Sequence, residues 1–200
     1  GRETLRRRRH HDRENMTTVF IAGSIAIKRL HQKVCERIEN AVAGGLSVVV
    51  GDADGADAGI QDVLASLNAD KVTVYCSGET PRNNRGQWAV HQVFPLAAPG
   101  TRAFFTAKDI EMAQDADYGL MIWDSKSTGT LSNVLELLSR EKKSVVFVNK
   151  AQTFVKVASV ADLRDLVSYM SNHARMKAEQ KIGLTKRIAA LGQVQISLPM

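Results

Sequence analysis

The stretch LSVVVGDADGADAGIQDVLASLN, residues 46–68, combines an apolar run, a glycine-rich loop and a helical pattern in immediate succession. The run LSVVV is apolar and largely β-branched, which predicts a buried strand. From Ala56 onward the apolar residues recur at helical spacing. A strand that passes directly into a helix is half of a βαβ unit, so the stretch predicts a parallel sheet.

The same alternation continues on both sides of this stretch. Four more apolar runs predict strands, and helical patterns lie between most of them, including a helix that begins at an N-cap Thr106. The sequence therefore predicts an α/β fold, a Rossmann-like doubly wound, five-stranded and mainly parallel sheet covered by helices on both faces. The four runs are residues 18–23, 71–76, 118–123 and 144–149.

We expect three segments along the chain. Residues 16–150 form the Rossmann-like domain, and residues 151–200 form a C-terminal helical extension. An apolar stripe in the extension predicts packing on the core or on a second subunit. Residues 1–15 carry six arginines against three acidic residues, which predicts a disordered basic tail or an extension added upstream of Met16. A basic arm that touches nucleic acid is the alternative. The apolar stripe of the C-terminal extension consists of Leu163, Leu166, Val167 and Met170.

Composition excludes several classes of protein. With 44% hydrophobic and 24% charged residues, the 200-residue chain is typical of a soluble globular domain. It has no apolar run of the roughly 20 residues that a membrane span needs, and no signal-peptide pattern. Cys35 and Cys76 do not make a disulfide framework. We therefore expect a reduced, cytoplasmic protein that does not bind membranes.

The loops that follow the strands indicate a ligand site. In doubly wound sheets ligands bind at the carboxyl ends of the strands, where the strand order reverses. Here those loops are Gly23–Ser24, residues 51–57 and residues 124–130. Small hydroxyl residues and glycine before a helix supply donors to an anion, although serine and threonine are also common N-caps. Three such loops at one edge predict an anionic or nucleotide ligand.

The three carboxylates of GDADGAD leave the role of this loop open. They would repel phosphate and suit ribose hydroxyls or an exocyclic amine. A calcium site is the rival interpretation, but the spacing fails and no glutamate closes the loop. Asp57 is equally well explained as a cap of the following helix. The chain has neither a dinucleotide fingerprint nor a P-loop, and His31 and His91 lack metal-ligand spacing, so we expect no cofactor and no metal.

The segment PRNNRGQW, residues 81–88, lies in a long irregular stretch after the third predicted strand. Its arginines could bind phosphate and its tryptophan could stack on a base. The alternative is an ordinary surface loop that is docked by its tryptophan.

The motifs VFIAGS, VVVGDADGAD and EMAQDADYGLMIWDSKSTGT, in this order after successive strands, resemble the SLOG superfamily. This superfamily contains the Lonely Guy-type nucleoside monophosphate phosphoribohydrolases, the DNA-processing protein A family and nucleotide-sensing domains of TRPM channels. The likeness covers about residues 18–149. It implies a nucleotide or nucleotide-derived ligand at the strand ends and a homodimer.

The resemblance and the loops together predict the residues of the site. The resemblance implies close backbone approach to the ligand at Gly51 and Gly55. Lys108 stands where Lonely Guy-type enzymes have an arginine, and we expect it to hold the phosphate. The expected ligand contacts are Gly23, Ser24, Gly51, Asp52, Asp54, Gly55, Asp57, Arg82, Asn83, Asp124, Ser125, Ser127, Thr128, Gly129, Thr130 and Asn133.

The sequence departs from the resemblance at the catalytic position. Asn133 stands where those enzymes have a catalytic glutamate, and Glu136, one helical turn further, is the candidate substitute. If the chain is an enzyme, the resemblance implies a nucleoside 5′-monophosphate N-glycosidase with Lys108 and Glu136 as catalytic residues. A non-catalytic nucleotide sensor is the alternative. Single-stranded DNA binding is disfavoured, because outside residues 1–15 we find no basic stripe.

Overall fold

A computed structural model describes residues 17–197, with side chains described up to residue 193. The expected basic tail, residues 1–15, lies outside the described residues. The strands of this range are β1 (Thr18–Gly23), β2 (Ser47–Gly51), β3 (Val72–Ser77), β4 (Ala89–Val93), β5 (Tyr118–Trp123), β6 (Ser144–Val148) and β7 (Thr153–Val157). The helices are α1 (Gln32–Ala43), α2 (Ala56–Ser66), α3 (Arg102–Asp115), α4 (Thr128–Ser139), α5 (Val160–Val167), α6 (Asn172–Ile182) and α7 (Leu184–Ser197).

The strands form one sheet in the order β4-β3-β2-β1-β5-β6-β7. Every neighbouring pair is parallel except β6–β7, which is antiparallel. The α/β class and the mainly parallel, Rossmann-like sheet are therefore confirmed. Because the chain runs outward from β1 to β4 and then returns to β5, the strand order reverses between β1 and β5.

The predicted number of five strands is wrong, because the sheet has seven in the described range. The two strands that the sequence missed, β4 and β7, are the edge strands. Both are five residues long, and most of their side chains are exposed or only partly buried. An edge strand in solvent does not need the continuous apolar run that marks the internal strands of a parallel sheet.

Side chains alternate between the two faces of the sheet. Along β1, Val19 and Ile21 join a core cluster with helices α1 and α2, whereas Phe20 and Ala22 join a second cluster with α3 and α4. Helices therefore cover both faces, as the buried strands predict.

The C-terminal segment packs on the second cluster. Leu163, Leu166 and Met170 are buried there, and Val167 packs against it. The apolar stripe of the extension thus covers the core, which was one of the two predicted alternatives. Helix α6 follows through buried Ala174 and Ala178. No helix in residues 17–197 is long and apolar enough to cross a membrane.

Helix α3 begins five residues earlier than the sequence predicted. Its N-cap is Thr101, whose hydroxyl accepts a hydrogen bond from the Phe104 N–H at 3.3 Å. Thr106 lies inside the helix, where its hydroxyl donates to the Ala103 carbonyl. The predicted N-cap at Thr106 is therefore wrong, and the extra turn carries Arg102 and Phe105 to the carboxyl edge of the sheet.

Candidate functional site

A cavity of about 520 Å³ opens at the carboxyl edge of the sheet, where the strand order reverses. Residues between the end of β1 and helix α6 contribute to it. We call its lining residues the wall. The wall consists of Ala22, Gly23, Ile25, Ala53, Asp57, Arg82, Arg102, Phe105, Thr106, Lys108, Asp109, Asp124, Lys126, Ser127, Thr128, Gly129, Thr130, Asn133, Lys177 and Lys181.

The N-terminus of α4 opens onto the cavity. The Ser127 hydroxyl caps the helix by accepting from the Thr130 N–H at 3.4 Å. The loop before the helix is folded by Asp124, whose Oδ1 accepts from the N–H groups of Lys126 and Ser127 at 2.9 and 2.7 Å. Free N–H groups and the positive end of the helix dipole make such a terminus favourable for an anion.

Ser24 joins the loops after β1 and β5 behind the wall. It is 1% exposed, and its hydroxyl accepts from the Asp124 N–H and shares a hydrogen bond with the Thr130 hydroxyl. Its own N–H donates to the Ile122 carbonyl. Ser24 thus fixes the position of the α4 terminus relative to the sheet.

Two carboxylates of GDADGAD hold the segment 81–88 against the sheet. Asp52, 3% exposed, accepts from the N–H, Nε and Nη2 of Arg82 at 2.8, 3.3 and 2.9 Å. Asp54 accepts from the Asn83 amide at 3.0 Å. Both carboxylates therefore have protein partners, and their role in this structure is to connect two loops.

Trp88 anchors the other end of that segment. Its indole N–H donates to the Ala69 carbonyl at 2.7 Å, and its ring packs against the core cluster of α1 and α2. The position of Trp88 agrees with one of the two predicted interpretations, a surface loop docked by its tryptophan. Arg82 of the same segment lines the wall.

The glycines of the loop after β2 allow close packing of protein on protein. Gly55 has φ +72°, and an added Cβ would lie 2.1 Å from the Ile25 carbonyl oxygen. A Cβ on Gly51 would lie 2.5 Å from Asp57 Oδ2. Gly55 thus lets the first two loops touch, and Gly51 makes room for the Asp57 carboxyl group.

Asp57, Lys108 and Asp109 form a group of ionisable side chains in the wall, in which Asp57 and Lys108 are buried and Asp109 is partly buried. The Lys108 ammonium donates to the Phe105 carbonyl at 3.0 Å and to Asp109 Oδ1 at 3.1 Å. Asp57 is 7% exposed and accepts from the Ala53 N–H at 3.3 Å. Burial raises the pKa of Asp57 to about 7, although the positive charge of Lys108 acts in the opposite direction. Burial also raises the pKa of Asp109 against the same cation.

Asn133 contributes an amide group to the wall. The residue is 6% exposed, and among the described residues its side chain makes no hydrogen bond. Because Ser144 Oγ is the only fully buried side-chain nitrogen or oxygen atom without a hydrogen bond in residues 17–193, the Asn133 amide must reach the open space of the cavity. The cavity therefore offers one amide that a bound molecule can satisfy.

Glu136 lies on the side of α4 that faces α7. Its carboxylate pairs with Arg140 at 2.6 Å and with Arg187 at 3.1 Å. Among the described residues the wall does not include Glu136, although the sequence predicted a catalytic role for it.

The predicted contact residues fall into two groups. Those that the structure brings to the wall are Gly23, Asp57, Arg82, Lys108, Asp124, Ser127, Thr128, Gly129, Thr130 and Asn133. The others do not line the wall: Ser24, Gly51, Asp52, Asp54, Gly55, Asn83 and Ser125. In residues 17–197, no cluster of three or more His, Cys, Asp or Glu side chains is arranged to hold a metal ion.

No family model matches the chain, and no curated protein matches it in sequence. Among solved structures, the chain matches DNA processing protein A from Helicobacter pylori, which was studied for its single-stranded DNA binding mode. The two are alike in fold. Their identity is 18% and the TM-score 0.50, and the match covers 65% of this chain and 64% of that chain. The chain thus spans just under two thirds of that neighbour's length.

Sequence reasoning missed most of the basic residues of the wall. Arg102, Lys126, Lys177 and Lys181 line the cavity, and none has an acidic partner among the described residues. Arg102 donates to the Thr128 hydroxyl at 2.6 Å. Lys126 lies inside a predicted loop and could have been named, whereas the other three depend on how α3 and α6 pack.

Proposed function

We propose that the chain binds a nucleotide or a ribosyl-phosphate compound in this cavity, as a member of the SLOG superfamily. One observation carries the proposal. The same wall contains basic side chains without acidic partners among the described residues near the α4 terminus and buried polar side chains, which we call the floor. The floor contains Asn133 and Asp57. The volume of about 520 Å³ falls within the range of small-molecule sites.

Each end of the cavity suits one part of such a ligand. The α4 terminus and Arg102 offer N–H donors and a guanidinium, which favour a phosphate group. The Asn133 amide and the Asp57 carboxyl group offer hydrogen-bond donors and acceptors on short side chains. Such groups favour ribose hydroxyls or the edge of a base. Lys108 is held by Phe105 and Asp109 close to Asp57, so it balances the negative charge of the floor.

Thermal-shift measurements with a panel of nucleoside 5′-monophosphates test the proposal. We expect at least one nucleotide to raise the melting temperature, with the matching nucleoside and inorganic phosphate giving smaller shifts. Arg102→Ala should weaken that shift, and Arg175→Ala, an exposed arginine on α6, should leave it unchanged. A panel in which no nucleotide shifts the melting temperature contradicts the proposal.

Hydrolysis of the N-glycosidic bond of a nucleoside 5′-monophosphate is a second candidate, favoured by the position of Asp57. A carboxyl group in the wall whose pKa is about 7 can exchange protons at neutral pH. In this reaction the oxygen of water bonds to C1′, the C1′–N bond breaks, and the carboxylate of Asp57 takes the proton of the water. The base leaves with the bonding electrons and takes up a proton from the solvent, to which Asp57 later releases its own.

Chromatography for released free base tests the second candidate. We expect Asp57→Asn to abolish release, while Glu136→Gln retains it because the Glu136 carboxylate is held by two arginines. Nucleotide binding without any released base would favour the alternative function, a non-catalytic nucleotide sensor. Loss of release in Glu136→Gln alone would return the catalytic role to Glu136.

Single-stranded DNA is the remaining alternative, since the solved neighbour has a single-stranded DNA binding mode. The full chain and a chain that lacks residues 1–15 should be compared on an oligonucleotide at several salt concentrations. Tight binding that survives removal of the arginine-rich segment would favour DNA over a mononucleotide.

A homodimer is the assembly that the resemblance implies. Exposed Phe94 and Leu96, which follow edge strand β4, offer apolar area for such a contact. Light scattering coupled to size-exclusion chromatography tests it, and a monomer at high concentration contradicts it.

A further inference from the structure

The basic residues of the wall differ in whether protein carboxylates already neutralise them. Arg82 pairs with Asp52, and Lys108 pairs with Asp109. Arg102, Lys126, Lys177 and Lys181 have no acidic partner among the described residues. Asp124, a carboxylate of the same wall, offsets one of these four charges, so the cavity carries a surplus of about three positive charges on the side of α4 and α6.

Part of this surplus comes from the C-terminal segment. Lys177 and Lys181 are one turn apart on α6, so they lie on the same face of the helix. Beside them run Ala174 and Ala178, which are buried in the core cluster of α3 and α4. Because the buried side chains are small, the helix packs closely and its neighbouring lysines reach the wall.

A single phosphate leaves part of that charge unmatched. A phosphate monoester carries a charge of about −1.5 to −2 at neutral pH. The α4 terminus, Arg102 and Lys126 are sufficient to bind such a group. Lys177 and Lys181 approach from a different element and remain without a counter-charge.

We propose that the ligand is a nucleotide with a pyrophosphate group, and that Lys177 and Lys181 bind its second phosphate. The inference rests on the proposed function and names the class of ligand within it. Asn133 in the same wall is 6% exposed, and its amide faces the cavity without a hydrogen-bond partner among the described residues, so a bound molecule can satisfy it. The cations converge on one cavity, as a compact polyanion requires, whereas an extended strand of nucleic acid needs a groove that follows its backbone.

Calorimetric titration of the full chain with AMP, ADP, GMP and GDP tests the inference. For the base that binds, we expect the diphosphate to bind about tenfold more tightly than the monophosphate. In the variant Lys177→Ala/Lys181→Ala this preference should fall to about twofold or less, because the diphosphate loses more affinity than the monophosphate. The control Lys143→Ala/Lys186→Ala removes the same charge from exposed positions outside the wall and should keep the preference.

The possible failures are distinct. Equal affinities for monophosphate and diphosphate, or a preference that survives in Lys177→Ala/Lys181→Ala, overturn the second phosphate site and leave nucleotide binding intact. If none of the four nucleotides binds, the proposed function fails as well. A single-stranded oligonucleotide that binds more tightly than the diphosphate also overturns the inference.

Discussion

Arg82 donates three hydrogen bonds to the carboxylate of Asp52, and its guanidinium carbon lies 4.4 Å from the centroid of the Phe105 ring. One side chain therefore connects the loops after β2 and β3 with helix α3. These contacts form one side of the cavity, so the stability of the loops and the shape of the site depend on the same pair.

We expect Arg82→Ala to lower the free energy of unfolding by about 2 kcal/mol, because it leaves the buried carboxylate of Asp52 with one donor. Urea unfolding measures the loss. Arg85→Ala is the matched control, because Arg85 pairs with Asp62 on the surface, where both side chains are about half exposed. Its expected loss is below about 1 kcal/mol, and equal losses in the two variants would contradict the role of Arg82.

Gly55→Ala should destabilise the fold by more than about 2 kcal/mol. The positive φ of +72° and the Ile25 oxygen, 2.1 Å from the added Cβ, both oppose the substitution. The same change at Gly192, within α7 and without any neighbour inside 4 Å, should stabilise by about 0.5–1 kcal/mol. Thermal unfolding of both variants tests whether the two substitutions change stability in opposite directions. An unchanged melting temperature in Gly55→Ala would show that the two loops can separate without a loss of stability.

The contribution of Asp57 to the free energy of unfolding should decrease as pH rises from about 4 to 7. In this window the unfolded carboxyl group, with a pKa of 3.8, loses its proton, while folded Asp57, with a pKa of about 7, retains it. The folded state then binds more protons than the unfolded state, so rising pH favours unfolding. Asp57→Asn does not titrate and should be more stable than the parent protein at pH 8 by a few kcal/mol.

Urea unfolding at pH 4 and pH 8 measures this difference. At pH 4 the gain from Asp57→Asn should nearly disappear, because the folded parent protein is then protonated at Asp57. Asp62→Asn changes an exposed carboxylate of the same helix and serves as the control. An equal gain at both pH values would show that the substitution acts through packing.

Asn133→Ala should weaken nucleotide binding about three- to tenfold, the effect of one lost hydrogen bond. Since the amide has no hydrogen-bond partner among the described residues, stability should change by less than about 0.5 kcal/mol. Calorimetry and thermal unfolding measure the two effects. Asn40→Ala, at an exposed position of α1, controls for the loss of an amide, and unchanged affinity in Asn133→Ala would remove the amide from the site.

The internal strands and the loops after them could be predicted from the sequence, because long apolar runs such as residues 46–50 end at glycine or small polar residues. The edge strands could not, because strands such as β4 lie partly in solvent and lack such a run. Helical spacing placed Glu136 one turn from Asn133 but could not show that Arg187 from α7 pairs with it. Likewise, no local pattern brings Lys177 to the cavity, since its position depends on how α6 packs over α4.

Because Lys177 and Lys181 belong to the wall, opening of α6 away from the core removes part of the site. Detachment of this helix and dissociation of a molecule that contacts it are therefore coupled equilibria, and each shifts the other by the same free energy. Saturating ligand should slow amide hydrogen exchange in residues 172–182, near the end of the chain, as well as in the loops after the strands. Hydrogen exchange in α6 is thus expected to report on the occupancy of the cavity.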